Sequence, residues 1–238
     1  ELLKELRATG NPIVVLINTG RPWALENVSQ QADAILYAWW LGSEAGNAVA
    51  DVLFGDYNPS AKLPITFPRS AGQIPIYYNH FNTGRPAVDD KNRFYNSSYL
   101  DISIYPQYEF GYGLSYTKFE YKNLSLSSKS MNENGSIEVS FTLTNVGKVD
   151  GEEIVQLYIR DKVGSVVRPI KELKDFYKAK LKAGESTQIK FTIAKEKLSF
   201  YDSEAKLIVE PGDFDLMIGA SSRDIKLTDH FQLIKSDR

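Results

Sequence analysis

Residues 39–66 read WWLGSEAGNAVADVLFGDYNPSAKLPIT, and the local signals in this stretch agree with one another. Ser43 is a favourable N-cap, Glu44 puts a carboxylate in the first turn where the helix dipole favours it, and Gly55 supplies the C-terminal stop. Between them Ala45, Ala48, Val49, Val52 and Leu53 recur at helical spacing, which predicts a helix with one buried face. Asn58-Pro59-Ser60 then turns the chain, and Pro64 forbids helix from Lys62 to Phe67 and enforces an extended exit.

Upstream, Ile13 to Ile17 and Ala34 to Trp39 are unbroken apolar runs of the kind found in strands buried on both faces, with a short helical connection around Trp23 to Gln31. They predict neighbouring parallel strands. So small a parallel sheet would leave apolar faces and edges bare, so residues 1–67 read as the C-terminal part of a larger α/β sandwich domain. This portion is expected to pair with a second copy as a homodimer, to stay bound to a missing N-terminal part, or to be locally mobile. Leu2, Leu3 and Leu6 belong to an amphipathic helix whose start nothing before Glu1 caps, and no signal peptide precedes it. The chain is therefore expected to be a piece whose targeting information lies elsewhere.

Downstream, residues 68–118 show little periodicity, yet the segment from Tyr77 to Tyr121 holds 13 of the 29 aromatic residues. A flexible tether would lack such surface, so an ordered strap packed on one or both domains is predicted, with Phe110 and Tyr116 among its buried rings. From residue 119 to 238 the period becomes two. Ile137/Val139/Phe141/Leu143, Val155/Leu157/Ile159, Ile189/Phe191/Ile193 and Phe214/Leu216/Ile218 alternate with polar residues. Turns at Asn145-Val146-Gly147, Lys182-Ala183-Gly184-Glu185 and Glu210-Pro211-Gly212-Asp213 complete the pattern of a seven-stranded immunoglobulin-like sandwich. The lysines at 171, 174, 178, 180 and 182 read as a solvent face guarding an edge.

Composition excludes several function classes. With 42% hydrophobic residues and no apolar run long enough to cross a bilayer, a membrane span is not expected. The net charge of -2 gives no field for a phosphate backbone, so nucleic acid is not an expected partner. There is no cysteine, and only His80 and His230 represent histidine, so no metal site, cofactor or Ser-His-Asp machine is predicted.

The helix and turn of residues 39–66, with Asn58, Pro59, Ser60, Lys62, Leu63 and Pro64 together, resemble a block of glycoside hydrolase family 3, the β-glucosidases and β-xylosidases. Tyr108-Glu109-Phe110-Gly111-Tyr112-Gly113-Leu114-Ser115-Tyr116-Thr117, Arg168-Pro169-Ile170-Lys171-Glu172-Leu173-Lys174-Asp175-Phe176 and Pro211-Gly212-Asp213-Phe214 resemble three further motifs of that family. The chain departs from the pattern at Leu41, Ala61, Gln107, Glu109, Asp175 and Phe214.

The resemblance implies a fibronectin type III-like sandwich and a periplasmic or secreted parent. It also implies retaining hydrolysis of terminal β-D-glucosyl residues on an oligosaccharide or β-glucoside substrate. In that reaction a carboxylate attacks the anomeric carbon and a carboxylic acid ~5–5.5 Å away protonates the leaving oxygen. Neither catalytic motif is present, so the nucleophilic Asp and acid/base Glu are expected upstream of Glu1, and the fragment alone is expected to be inactive. A β-xylosidase parent and a stand-alone carbohydrate-binding or adhesive module are the alternatives.

Five residues are substrate-pocket candidates. Trp39 and Trp40 offer a sugar-stacking wall, although strand ends in α/β domains commonly bury such rings. Glu44 lies in the family block, but a first-turn carboxylate bonding local amides is the plainer reading. His80 and Arg85 lie in the strap at a pocket rim or in a solvated loop. Sequons begin at Asn27, Asn96, Asn123 and Asn134.

Overall fold

A computed structural model describes residues 1–91 and 94–235. The α/β portion comprises α1 (Leu2–Ala8), β1 (Val14–Ile17), α2 (Glu26–Ser29), β2 (Ala34–Tyr37) and α3 (Ala45–Phe54). β1 and β2 pair in parallel with Val14 opposite Ala34 and Ile17 opposite Tyr37. Here the structure corrects the two-face expectation. Ile17 is buried with Leu25 and Phe67, and Val15, Ile35 and Tyr37 pack on them, whereas Val14 and Leu16 are exposed. One layer covers this pair, so period-two exposure emerges within an apolar run.

Helix α3 ends as predicted, with Gly55 left-handed at φ 86° and its N–H on the Val52 carbonyl. Its start differs. Glu44, not Ser43, occupies the N-cap position, and no side chain caps the first turn. The expected buried face is only half buried at Ala45, Val49 and Val52, while Leu53 and Phe54 stand exposed.

The β portion contains β3 (Phe119–Leu126), β4 (Ser130–Met131), β5 (Ile137–Asn145), β6 (Gly151–Asp161), β7 (Glu172–Leu181), β8 (Ser186–Ile193), α4 (Lys195–Leu198), β9 (Phe200–Tyr201), β10 (Leu207–Ile208), β11 (Gly212–Gly219) and β12 (Ile225–Leu233). Among the described residues, a five-stranded sheet ordered β4-β12-β11-β6-β7 faces a three-stranded sheet ordered β3-β5-β8, and β9 and β10 form a separate hairpin. The sandwich therefore has one strand more than the seven expected, because the two-residue β4 joins β12 in parallel.

Each predicted alternation turns its apolar set inward. Phe141 stacks between Tyr121 and Phe191, and Phe214 stacks on Phe231 at 5.2 Å, in a core that excludes water from Ile137, Leu143, Leu157 and Ile218. Gly184 is left-handed in the turn between β7 and β8, whereas Gly212 belongs to β11 rather than to a turn. Strand β7 is the free edge of its sheet, and Lys178 and Lys180 project from it into solvent. Lys171 does not. It is partly buried, with Nζ 2.7 Å from the Ser222 carbonyl, and burial beside Arg223 and Arg160 depresses its pKa.

The segment between the two portions packs on them from both of its ends. Phe110 stacks on Tyr78 at 4.4 Å, Tyr78 meets the edge of the buried Tyr158, and the Tyr78 hydroxyl accepts the Leu173 N–H. Its outer part is different, since Tyr77, Phe81 and Tyr95 are exposed and Phe94 is 86% exposed. Tyr116, expected to be buried, is exposed and is held by its hydroxyl on the Val52 carbonyl at 2.6 Å.

Candidate functional site

In open parallel sheets ligands gather beyond the carboxyl ends of the strands, where successive loops converge. Here that position belongs to residues 18–21 after β1 and 38–44 after β2. Trp39 terminates β2 by adopting φ 51°, a left-handed conformation that is strained for a bulky side chain. Its indole turns inward and meets Tyr37 at 4.9 Å and Phe67 at 6.0 Å, both edge-on. The same reversal throws Trp40 outward, where it is 81% exposed. Trp40 lies over the loop after β1 so closely that a Cβ on Gly20 would fall 2.1 Å from its indole nitrogen. The two tryptophans thus divide the roles of packing and surface display.

Tyr37 completes this corner. Its hydroxyl donates to the Arg21 carbonyl, and burial raises its pKa. Glu44 is exposed at the head of α3, where its Oε2 accepts from the Asn47 side-chain amide at 2.6 Å. Among the described residues it bonds no backbone amide, so the dipole rather than a cap bond favours it there.

His80 and Arg85 lie elsewhere. The His80 carbonyl accepts the Ile170 N–H at 3.0 Å and Phe81 bridges to Pro169, so His80 runs beside the segment entering β7. Arg85 is exposed, and its carbonyl takes the Ser97 N–H in the outer loop. Among the described residues no hydrogen bond or ion pair joins either residue to Trp39, Trp40 or Glu44. No three His, Cys, Asp or Glu side chains among them are grouped as metal ligands.

Sequence reasoning missed the seam between the two portions. After Asn58 the chain is extended, so alternate side chains project to one side, and Asn58, Ser60 and Lys62 all reach toward the start of β6. The Asn58 amide donates to the Asp150 carbonyl at 2.9 Å while its Oδ1 accepts from Tyr116 N and Ser115 Oγ. Ser60 Oγ donates to Glu152 at 3.2 Å, and the Lys178 ammonium beside Glu152 holds its carboxyl below the usual range. Lys62 pairs with the buried Glu153 at 3.2 Å and reaches the Gly113 carbonyl. Backbone bonds from Leu63 N to the Tyr112 carbonyl and from Gly111 N to the Leu63 carbonyl, both 2.8 Å, close the ladder.

Close packing seals it. A Cβ on Gly113 would stand 2.4 Å from the Ala61 carbonyl oxygen, and one on the left-handed Gly111 would stand 2.1 Å from Gln156 Oε1. Thr117 donates to the fully buried Asn145, whose amide also holds the Val149 and Leu181 carbonyls. A signal for the seam was present in the sequence, as three polar residues alternating in a proline-bounded extended run, but their partners lie some ninety residues away.

An α/β layer locked by such a seam to a β-sandwich is a two-part chain whose second part is fixed in orientation. Residues 1–116 match the glycosyl hydrolase family 3 C-terminal domain and residues 153–222 match the fibronectin type III-like domain. The chain belongs to glycosyl hydrolase family 3, of which it carries the C-terminal domain followed by the fibronectin type III-like domain. It is 50% identical to the periplasmic β-glucosidase of Salmonella typhimurium over 95% of this chain and 30% of that protein. It is 39% identical to a β-xylosidase of Formosa agariphila over 94% of this chain and 30% of that one. The crystal structure of the Listeria innocua β-glucosidase in complex with isofagomine superimposes with a TM-score of 0.92 at 41% identity, covering 98% of this chain and 32% of that one. The chain thus spans about 30% of the length of the curated relatives it matches.

Proposed function

We propose that this chain is the C-terminal scaffold of an exo-acting retaining β-glucosidase that removes terminal β-D-glucosyl residues from an oligosaccharide or β-glucoside. The reading rests on the 50% identity to a β-glucosidase across 95% of the chain. A β-xylosidase parent is the second reading, favoured by the relative of that name. The catalytic nucleophile and acid/base belong to the longer protein, since no acidic residue here matches either motif. The work divides among residues 1–67, which end the α/β sandwich domain, residues 68–118, which strap it down, and residues 119–238, the fibronectin type III-like sandwich.

Trp40 and Glu44, exposed beyond the strand ends, are the substrate-pocket candidates best placed to line a rim, with Trp39 behind them as packing. His80 and Arg85 would reach substrate only from a different direction. A periplasmic or secreted location is the reading for the longer protein, supported by the Salmonella typhimurium relative being named a periplasmic β-glucosidase. The test is turnover of aryl β-glucosides and β-xylosides by the 238-residue chain and by the longer protein. The expected outcome is activity on glucosides in the longer protein alone. Turnover by the purified 238-residue chain would overturn the scaffold reading, and preference for xylosides would promote the second.

A further inference from the structure

Away from the strand ends, the sandwich carries a hollow of about 570 Å³, inside the ~300–1,000 Å³ range of small-ligand sites. Leu207, Ile208 and Val209 form an aliphatic floor beside Ser199, and the rim carries Glu133, Lys195 and Glu196. Three rigid pieces build it. The turn from Asn132 to Gly135 is fixed by Asn132, which accepts the Asn134 N–H on its side chain and the Gly135 N–H on its carbonyl, and it presents Glu133. The single turn of α4, anchored by the buried Leu198, sets Lys195 and Glu196 side by side at the surface.

The β9–β10 hairpin supplies the third piece. Asp202 closes its turn by accepting the Glu204 and Lys206 N–H groups, and the Arg168 guanidinium lies 4.1 Å over the ring of buried Phe200. Leu207 is directly opposite Tyr201 in this hairpin. Opposed residues share a face, so Tyr201 lies on the face of the hairpin that carries Leu207, next to the residues that line the hollow rather than among them. Tyr201 is 67% exposed.

The rim charges are uncommitted: among the described residues, no hydrogen bond or ion pair engages the side chains of Glu133, Lys195 or Glu196. Two carboxylates with one ammonium disfavour an anion, and an apolar ligand would strip water from all three without replacing it. The intervening ammonium and aliphatic floor disfavour a bare cation. Acceptors and a donor around an aliphatic floor, beside an amphipathic ring, instead match a molecule with hydroxyls at its edge and C–H groups on its faces. We propose that this hollow binds a neutral oligosaccharide, with Tyr201 under a sugar face and Glu133, Lys195 and Glu196 on its hydroxyls. The site is independent of which sugar the longer protein hydrolyses.

Titration calorimetry of the 238-residue chain with cellopentaose and xylopentaose tests it. Saturable binding of at least one is expected. Tyr201→Ala should weaken it at least about tenfold, or about 1.4 kcal/mol, and Glu196→Gln should weaken it measurably, both without changing the melting temperature. If Tyr201→Ala lowers melting, the exposed Glu133→Gln carries the decision. Absence of binding overturns the proposal, as does binding that survives Tyr201→Ala and Glu196→Gln or is lost in Phe94→Ala instead. Tighter binding of a uronic-acid oligosaccharide overturns its neutral character.

Discussion

Lys62 Nζ stands 3.2 Å from Glu153 Oε1 across the seam, with the two side chains only 11% and 6% exposed, and Tyr121 donates its hydroxyl to the same carboxylate oxygen. The pair joins the extended exit of the α/β layer to the second strand of the neighbouring sheet.

Removing one partner strands the other. Lys62→Met should destabilise the chain by roughly 3–5 kcal/mol, because Glu153 would remain buried without a counter-charge, whereas Lys62→Met with Glu153→Gln should recover most of that loss. Denaturant unfolding of the two variants checks this. Equal stability for both would mean that the ion pair contributes nothing at the seam.

Gly113→Ala and Gly55→Ala separate packing from backbone strain. The first drives a methyl to 2.4 Å from a backbone oxygen; the second, at φ 86°, meets open space. Overpacking at Gly113 should cost about 1–3 kcal/mol and split one melting transition into two, while Gly55→Ala should cost about 1 kcal/mol from its left-handed backbone without altering cooperativity. Calorimetric melting of both variants distinguishes them.

The two strap rings should also behave differently. Phe110 is stacked on Tyr78 over Tyr158, so Phe110→Ala should cost up to about 3 kcal/mol, below the range for a fully buried Phe because the ring is half buried. Tyr116→Phe removes one hydrogen bond at an exposed ring and should cost about 0.5–1.5 kcal/mol. Matching losses in thermal melts would contradict the difference in burial.

Alkaline pH should unfold the chain from the seam outward. Burial, reinforced by Glu153, holds the Tyr121 hydroxyl well above the ordinary phenol range, and burial does the same for Tyr158. An unfolded chain releases these protons near about pH 10 while the folded chain keeps them, so this stabilisation is fully present below that pH and is lost as pH rises through it. The melting temperature should therefore fall steeply above about pH 10, with a shallower slope in Tyr121→Phe. An unchanged slope in that variant would show that Tyr121 plays no part.

The alternating strands are legible in the sequence because a period of two reports which face leaves water, and the parallel pair is legible as strands but not in its faces, since Val14 and Leu16 in the unbroken apolar run stand exposed. Gly55 and Gly184 are legible for the same local reason. Trp39 is not, since nothing in its neighbours announces a left-handed tryptophan. Lys171 reads as surface because its inward turn depends on the Ser222 carbonyl fifty residues away. The candidate site is legible only as residue types, and the structure scatters them: Trp39, Trp40 and Glu44 at the strand ends, His80 beside β7, Arg85 in the outer loop. Long-range side-chain partners such as Glu152 and Glu153 leave no local pattern.

Strand β7 has a practical consequence at the bench. Its free edge displays Phe176 and Tyr177 beside Lys178 and Lys180. The ammonium groups are what keep another chain from adding a strand there. Brief acetylation of the folded chain would erase those exposed charges while sparing the buried Lys62. Samples so treated should accordingly form fibrous aggregate faster than untreated ones at the same concentration.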